Sequence, residues 1–506
     1  MKVMIAYPPL PRDKGVALLS QNRQFQYFHN PTYIYPMIPA YAATLLKSRG
    51  HEVVWADGIA EGWTPEQFRD HIRREKPDMV AVEVKTPVVK AYWRWIDELK
   101  AGWNGHVPLT VLMGDHVTAL PEESFENSRV DYVLAGGDFD FGLLNLASHL
   151  SGGEALEGGL YYRNSAGAVS NTGPFKAHTL HELPLIDRDL TKWRLYARAN
   201  GNYKHLPGTY TMVGRDCWWR KDGGCTFCSW TTTFPKFRVR SPESLLDEIG
   251  ILIERYGVRE VFDDTGTFPV GRWLRNFCEG MIERGYNEKI RFGCNMRPGA
   301  LTQEEYDLMG RAGFRFVLYG LESANYGTLV RINKGQKEND MWESARMAKT
   351  AGLEPHATCM VGYPWETRED AARTIDLTKT LFAKGWIDTL QATIVIPYPG
   401  TPLFRQCEEN GWLKTRDWDR YDMREPVMKT PMADAEILAM TQGLYKSFLT
   451  PKFIVRKLLS VRGWDDVRFF WRAGRAVLGH LMDFGGKRRA DRRGVSRDAP
   501  AVESVK

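Results

Sequence analysis

The stretch that decides the fold is Arg215-Asp216-Cys217-Trp218-Trp219-Arg220-Lys221-Asp222-Gly223-Gly224-Cys225-Thr226-Phe227-Cys228. Its cysteines are spaced C-x7-C-x2-C, directly behind a strand-like run at Thr209–Val213. Three thiolates on one loop suit a soft metal centre. A closed structural site uses four ligands, so a centre held by three keeps one position open for a cofactor or substrate. A structural zinc needs a further Cys or His nearby, and the nearest histidine is His205; inert burial is the other alternative. Cys278, Cys294, Cys359 and Cys407 stand singly. An odd count, 7 cysteines in 506 residues, argues against a disulfide framework and for a reducing compartment.

Behind the triplet the pattern alternates. Helical periodicity at Pro242–Tyr256, Arg272–Arg284, Gln303–Gly310, Asp340–Ala351 and Arg368–Ala383 is interleaved with strand-like runs at Glu260–Asp263, Ile290–Cys294, Phe314–Tyr319, His356–Val361 and Thr389–Ile396. Repeated βα units predict a parallel sheet or barrel that presents function at the carboxyl ends of its strands. Those ends read Asp263-Asp264-Thr265-Gly266, Asn295-Met296-Arg297, Gly320-Leu321-Glu322-Ser323, Gly362-Tyr363-Pro364-Trp365-Glu366-Thr367 and Pro397-Tyr398-Pro399-Gly400-Thr401-Pro402.

With these strings in order behind the triplet, residues 1–450 resemble the radical SAM superfamily, specifically its cobalamin-dependent branch. The family signature is C-x3-C-x2-C with an aromatic before the last cysteine, which Phe227 matches. The seven-residue first gap departs from it, and Asp222-Gly223-Gly224 can turn the extra residues outward. The resemblance implies that Cys217, Cys225 and Cys228 hold a [4Fe–4S] cluster whose open iron binds S-adenosylmethionine (SAM), which is cleaved to a 5′-deoxyadenosyl radical. Glu322 is the candidate partner of the SAM ribose or amino group, and Arg297 of its carboxylate. Ser323 and Gly362, in the family-like strings, are further cofactor-binding candidates.

The first 150 residues carry strand-like runs at Val3–Tyr7, Glu52–Trp55, Met79–Val82, Leu109–Met113 and Tyr132–Ala135, separated by amphipathic stretches. The pattern predicts a doubly wound, flavodoxin- or Rossmann-like parallel sheet with a ligand crevice at its carboxyl edge. The resemblance makes this the cobalamin-binding domain. Thr86, Gly114, Asp115, His116, Thr118, Gly136 and Gly137, at the strand ends, are the candidate contacts. The loop after the first strand, Pro8 to Gly15, contains no histidine, so the lower face of the cobalamin is expected to lack one. His116 reads either as a contact to the cobalamin tail or corrin edge, or as a helix-start residue beside a Thr118 cap.

Residues 151–205 read as a connector with a small hairpin, 206–410 as a partial (β/α)6 barrel, and 411–506 as a helical region with a basic tail. Net charge is +6 overall, but Pro451–Arg497 carries thirteen Lys or Arg against four Asp, or +9, which leaves −2 for residues 1–450 and −1 for the last nine. The body is near neutral, so nucleic acid is not an expected partner. Aromatics spaced along Trp464–Phe484, interleaved with Arg468, Arg472 and Arg475 and followed by Lys487-Arg488-Arg489, read as a packed helix with a solvated end or as an interfacial membrane helix.

Composition is globular, with 43% hydrophobic and 26% charged residues, and no run of eighteen apolar residues occurs. The chain opens directly into a strand-like run, so no signal peptide is expected and the cytoplasm is the expected location, with a position peripheral to the inner face of the membrane as the alternative. The resemblance implies methylation of an unactivated carbon, with methylcobalamin as methyl donor to a substrate radical. Radical cyclisation without methyl transfer and a non-catalytic cobalamin or iron–sulfur sensor are the alternatives. A small-molecule or lipid-like substrate and an external electron donor of flavodoxin or ferredoxin type are the expected partners.

Overall fold

A computed structural model describes residues 1–18, 25–28, 30–102, 105, 107–447, 451–461 and 463–483. The amino-terminal part comprises strands Lys2–Tyr7 (β1), Val16–Leu18 (β2), Gln26–Phe28 (β3), Glu52–Asp57 (β4), Met79–Glu83 (β5), Leu109–Met113 (β6), Tyr132–Leu134 (β7), Leu160–Arg163 (β8) and Val169–Asn171 (β9). β2 and β3 form a separate antiparallel hairpin; the others make one sheet ordered β4-β1-β5-β6-β7-β8-β9. The pairings from β4 to β7 are parallel, as the apolar character of the strands requires of a sheet covered on both faces. Alternate residues of β1 serve opposite cores. Val3 and Ile5 pack with Tyr41 and Leu45 of the helix Met37–Ser48, whereas Met4 and Ala6 pack with Phe68, Trp93 and Ile96 of the helices Pro65–Glu75 and Val89–Ala101.

The hairpin expected in the connector forms as β8–β9, but it is not free-standing. β8 pairs antiparallel with β7 and extends the sheet, because Leu160 and Tyr161 find apolar neighbours on its two faces. The segment that follows lies between the two halves of the molecule: Tyr196 donates to Asp57 at 2.7 Å, and Arg188 pairs with Glu248 at 3.1 Å.

The second sheet contains Gly208–Thr211 (β10), Glu260–Asp263 (β13), Arg291–Met296 (β14), Phe314–Glu322 (β15), Glu354–Val361 (β16) and Thr389–Ile394 (β17), six parallel strands in sequence order. Gly214–Arg215 (β11) and Arg238–Val239 (β12) form a short antiparallel pair between β10 and β13. Parallel neighbours require crossover helices, three of which start at side-chain caps: Ser241 accepts from Ser244, and Thr302 and Thr367 form reciprocal capping boxes with Glu305 and Asp370. The result is an open, partial (β/α)6 barrel.

Two regions close the barrel. Residues 411–428 cross to the amino-terminal sheet, where Trp418 is buried and donates to Glu123 at 2.8 Å. The helices Pro451–Leu459 and Trp464–Asp483 lie across the amino ends of the barrel strands. Lys457 reaches Asp388 just before β17, and Asp465 reaches His205 and Arg259 just before β10 and β13. The sequence beyond Asp483, including the Lys487-Arg488-Arg489 run, lies outside the described residues. Among the described residues no helix is long and apolar enough to cross a membrane.

Candidate active site

The backbone that carries the thiols is built from unusual pieces. After β11, Asp216 adopts φ 75° and Cys217 ends the extended run. Trp218–Asp222 then forms a 3₁₀ turn, and Gly223 and Gly224 take φ 91° and 73°, a region that favours glycine. This turn and glycine pair take up the seven-residue gap. Arg220 fixes the turn from below, pairing with Asp216 at 2.7 Å and donating to the carbonyls of Trp230 and Phe234 at 2.6 and 2.7 Å.

Cys217, Cys225 and Cys228, all half-buried, line one cleft of about 590 Å³ at the carboxyl end of the barrel. Arg297 follows β14 into the cleft, and Glu322 at the end of β15 lines it too. Cys217 Sγ lies 3.0 Å from Thr267 Oγ1, and Arg297 Nη1 lies 3.8 Å from Cys225 Sγ. Burial pushes the Cys225 thiol up, while the Lys334 and Arg297 cations pull it back toward the thiolate. Among the described residues, no three His, Cys, Asp or Glu side chains gather around a single ion position. The thiols therefore share a cavity without converging on one point. The cleft lining offers no fourth thiol, so the donor set leaves one position of a metal centre open.

The segment Ile332-Asn333-Lys334-Gly335-Gln336 joins the thiol loop to the residues across the cleft. The Ile332 carbonyl accepts from Thr226 N at 3.0 Å. Asn333 Nδ2 donates to the carbonyls of Asp222 and Gly224 at 2.7 and 2.9 Å, and its own carbonyl accepts from Trp219 Nε1 at 2.7 Å. The Lys334 carbonyl accepts from Arg297, and its ammonium pairs with Glu322 at 2.7 Å. Gly335 leaves room for the Trp219 indole, since a Cβ there would meet the ring at 2.1 Å. Arg297 is stacked over that indole, 4.3 Å from its centroid. Sequence reasoning missed this strap. It lies between two helices instead of at a strand end, and half its bonds use backbone carbonyls, which leave no residue pattern.

Other expected residues stand elsewhere. Phe227 packs behind the loop with Leu329 and Ile332. Ser323 is buried outside the cleft, donating to Glu366 at 2.7 Å, and Gly362 faces Ile437 and Ile394. His116 is fully buried. Its Nδ1 meets Thr86 Oγ1 at 3.2 Å, its Nε2 meets Glu123 at 3.0 Å, and its ring packs edge-on against Trp418. Thr118 is not a helix cap. It donates to the Gly114 carbonyl at 2.7 Å and accepts from Gly136 N at 2.9 Å. Gly114 abuts the Val84 backbone, Gly136 the Phe175 ring and Gly137 the Phe234 ring. Asp115 pairs with buried Lys85 at 2.9 Å and accepts from Ser229, the neighbour of Cys228, at 3.1 Å.

Asp115, His116 and Gly137 thus meet residues of the second half, Thr86, Gly114, Thr118 and Gly136 are bonded or packed within residues 1–175, and none of the seven lines the cavities at the carboxyl ends of β1 and β4. Those cavities, each about 270 Å³, are walled by Tyr7, Tyr33, Asp57 and Tyr196, and by Pro9, Arg12, Gly58 and Trp63. Burial raises the Asp57 carboxyl to about 6, against the bonds it accepts from Ala60, Tyr196 and Ile59.

A model of the radical SAM superfamily matches residues 212–378. An uncharacterized methyltransferase of Pyrococcus horikoshii is 30% identical over 437 residues, 85% of this chain and 91% of the relative. The anaerobic magnesium-protoporphyrin IX monomethyl ester cyclase of Cereibacter sphaeroides is 26% identical over 464 residues, 89% of this chain and 71% of the relative. Among solved structures, the radical S-adenosylmethionine methyltransferase TsrM of Kitasatospora setae, with cobalamin and a [4Fe–4S] cluster bound, superposes with a TM-score of 0.62 at 17% identity, over 87% of this chain and 84% of that one. The cobalamin-dependent S-adenosylmethionine radical enzyme OxsB, with aqua-cobalamin and S-adenosylmethionine bound, superposes with a TM-score of 0.69 at 14% identity, over 95% and 71%. At those identities the structures share the fold.

Proposed function

The chain belongs to the radical SAM superfamily, and from that premise we propose that it is a cobalamin-dependent methyltransferase acting on an unactivated carbon of a small-molecule substrate. The observation that carries the reading is the cleft in which three thiols, without a fourth, face a bound arginine and a lysine–glutamate pair. Cys217, Cys225 and Cys228 would hold a [4Fe–4S] cluster, which supplies the electron that cleaves SAM, while cobalamin supplies a carrier for the methyl group.

The protein's own part is positioning. Arg297, stacked on Trp219 and tied to the Lys334 carbonyl, presents a fixed cation to the SAM carboxylate. Glu322, held by Lys334, presents a carboxylate oxygen to the amino or ribose groups. The amino-terminal sheet would hold cobalamin at its carboxyl edge, beside the strand-order reversal at β1, where Tyr7 and Asp57 stand. Thr86, Asp115 and His116 would brace that wall from behind. The reading also requires an external one-electron donor of flavodoxin or ferredoxin type and a reducing, cytoplasmic setting.

The test is anaerobic incubation of the protein, reconstituted with iron, sulfide and hydroxocobalamin, with methyl-labelled SAM and a reductant. Methyl label should pass to the cobalamin fraction with stoichiometric S-adenosylhomocysteine, and 5′-deoxyadenosine should form in the same preparation. Replacing Cys217, Cys225 and Cys228 together by Ala should remove about four irons and all 5′-deoxyadenosine. Kinship to the cyclase favours one competing outcome: 5′-deoxyadenosine with no methyl transfer would replace methylation by radical cyclisation.

A further inference from the structure

The two carboxyl-terminal helices carry exposed apolar side chains on the side away from the barrel. A helix packed on a protein buries its apolar side and exposes its charges. Over residues 464–472 the side that meets the barrel carries charge beside the half-buried Phe469 and Phe470. Asp465 pairs with His205 at 3.0 Å and Arg259 at 2.7 Å, Asp466 with Lys204 at 2.5 Å, and Arg472 donates to the Tyr203 carbonyl at 2.6 Å. The opposite side carries Trp464, Val467 and Trp471, at i, i+3 and i+7, with 78%, 44% and 71% of their surface exposed. Pro451–Leu459 has a similar exposed outer side, and its inner side adds Phe453, packed on Phe382, to the charges. Arg456 and Lys457 turn inward to the Phe382 carbonyl and Asp388, while Leu458 and Leu459 are 65% and 82% exposed.

We infer that this pole of the molecule docks on an anionic membrane surface. The charge pattern selects the partner: Pro451–Arg497 carries +9 and residues 1–450 carry −2, so attraction to an anionic surface is concentrated on the segment that exposes the tryptophans. Trp beside Arg on one helix face suits the headgroup boundary, where an indole is half apolar and half wet and a guanidinium meets phosphate. The ion pairs at the barrel base fix the helix flat against the protein, which leaves its apolar side free to lie in the interface plane.

The placement also fixes orientation. The docking helices cover the amino ends of the barrel strands and the thiol cleft opens at the carboxyl ends. The eight residues of β16 alone separate the two by roughly 26 Å at about 3.3 Å per residue. Docking therefore localises the enzyme with its cleft directed away from the bilayer, toward a substrate that diffuses to it, and a substrate embedded among acyl chains is disfavoured.

The full-length, cluster-loaded protein is sedimented with vesicles of phosphatidylcholine alone or mixed with phosphatidylglycerol, at 50 and 500 mM salt. The expected result is binding to the anionic vesicles at low salt, release at high salt, and little binding to neutral ones. Trp464→Ser/Trp471→Ser should weaken binding at least tenfold with iron content unchanged, and Arg468→Glu should weaken it at low salt. No binding of the native protein to anionic vesicles, equal binding to neutral vesicles, or undiminished binding of the tryptophan variant overturns the inference. So does a native dimer that the tryptophan variant converts to monomer in sedimentation velocity, which would make this side a self-association surface.

Discussion

Glu322 holds a φ of 60° at the end of β15, where a residue with a Cβ is strained by about 1–2 kcal/mol, and its carboxylate is buried. Lys334 makes that position tenable. It offsets the buried charge at 2.7 Å, while Gly320 supplies the space, since a Cβ there would meet Glu322 Oε1 at 2.2 Å. Lys334→Met should therefore lower unfolding stability by about 3 kcal/mol, because it strands a buried carboxylate. The same variant should weaken SAM binding in equilibrium dialysis while retaining its iron. Lys334→Met/Glu322→Gln should recover most of the stability and none of the SAM affinity; recovery of both would reduce the pair to a structural role. The thiols stood out in the sequence by their spacing, and the place of Arg297 and Glu322 at the cleft because βα repeats announce strand ends. Lys334 was not, since a lone lysine twelve residues after Glu322 has no spacing that marks it.

At the scale of single elements, β16 carries a titration consequence. Burial lowers the His356 imidazole to about 4; its Nδ1 meets Thr389 at 2.8 Å and its Nε2 is sealed without a partner. In the unfolded chain the ring binds its proton near 6.5. The stability gained by keeping it neutral is thus fully present above pH 6.5 and is lost as pH falls toward 4, on the order of 3 kcal/mol. Denaturant midpoints of the native protein should fall over that window, and His356→Asn, which cannot titrate, should show a shallower fall; parallel curves would remove the histidine from the account. The barrel strands and their helices were readable to within a few residues, since buried parallel strands and amphipathic crossovers differ in period. The β2–β3 hairpin was not, because three-residue strands offer no periodicity, and neither were the short helices Asp115–Ala119 and Glu123–Asn127.

Across the whole molecule, the two halves are joined by buried charge. Arg215, 1% exposed, leaves the barrel for the amino-terminal sheet, donating to Asp140 at 2.7 Å and to the Gly137 carbonyl at 3.2 Å; Arg238 donates to Asp138 at 2.8 Å beside it. Arg215→Met would leave Asp140 buried and unpaired, so it should cost about 3–5 kcal/mol and split one calorimetric transition into two. A single transition at the native temperature would show that apolar packing alone couples the halves. None of this was visible in the sequence, where Arg215 reads only as a flank of the cysteine motif. The pairing of β8 with β7 escaped it too, because which edge a hairpin joins depends on neighbours far away in the chain.

The ties at the barrel base have a consequence in the time course of synthesis. Asp465 closes on His205 across 260 residues. At about 5–20 residues per second, roughly 13–50 s separate the emergence of the two. Until Asp465 and Asp466 are made, Lys204 and Arg259 lack these partners at the barrel base, and a ribosome stalled anywhere between leaves it uncapped. The last of the described helices is the one that covers the barrel base, so premature termination within it yields a chain with the thiol loop complete and the opposite end uncovered.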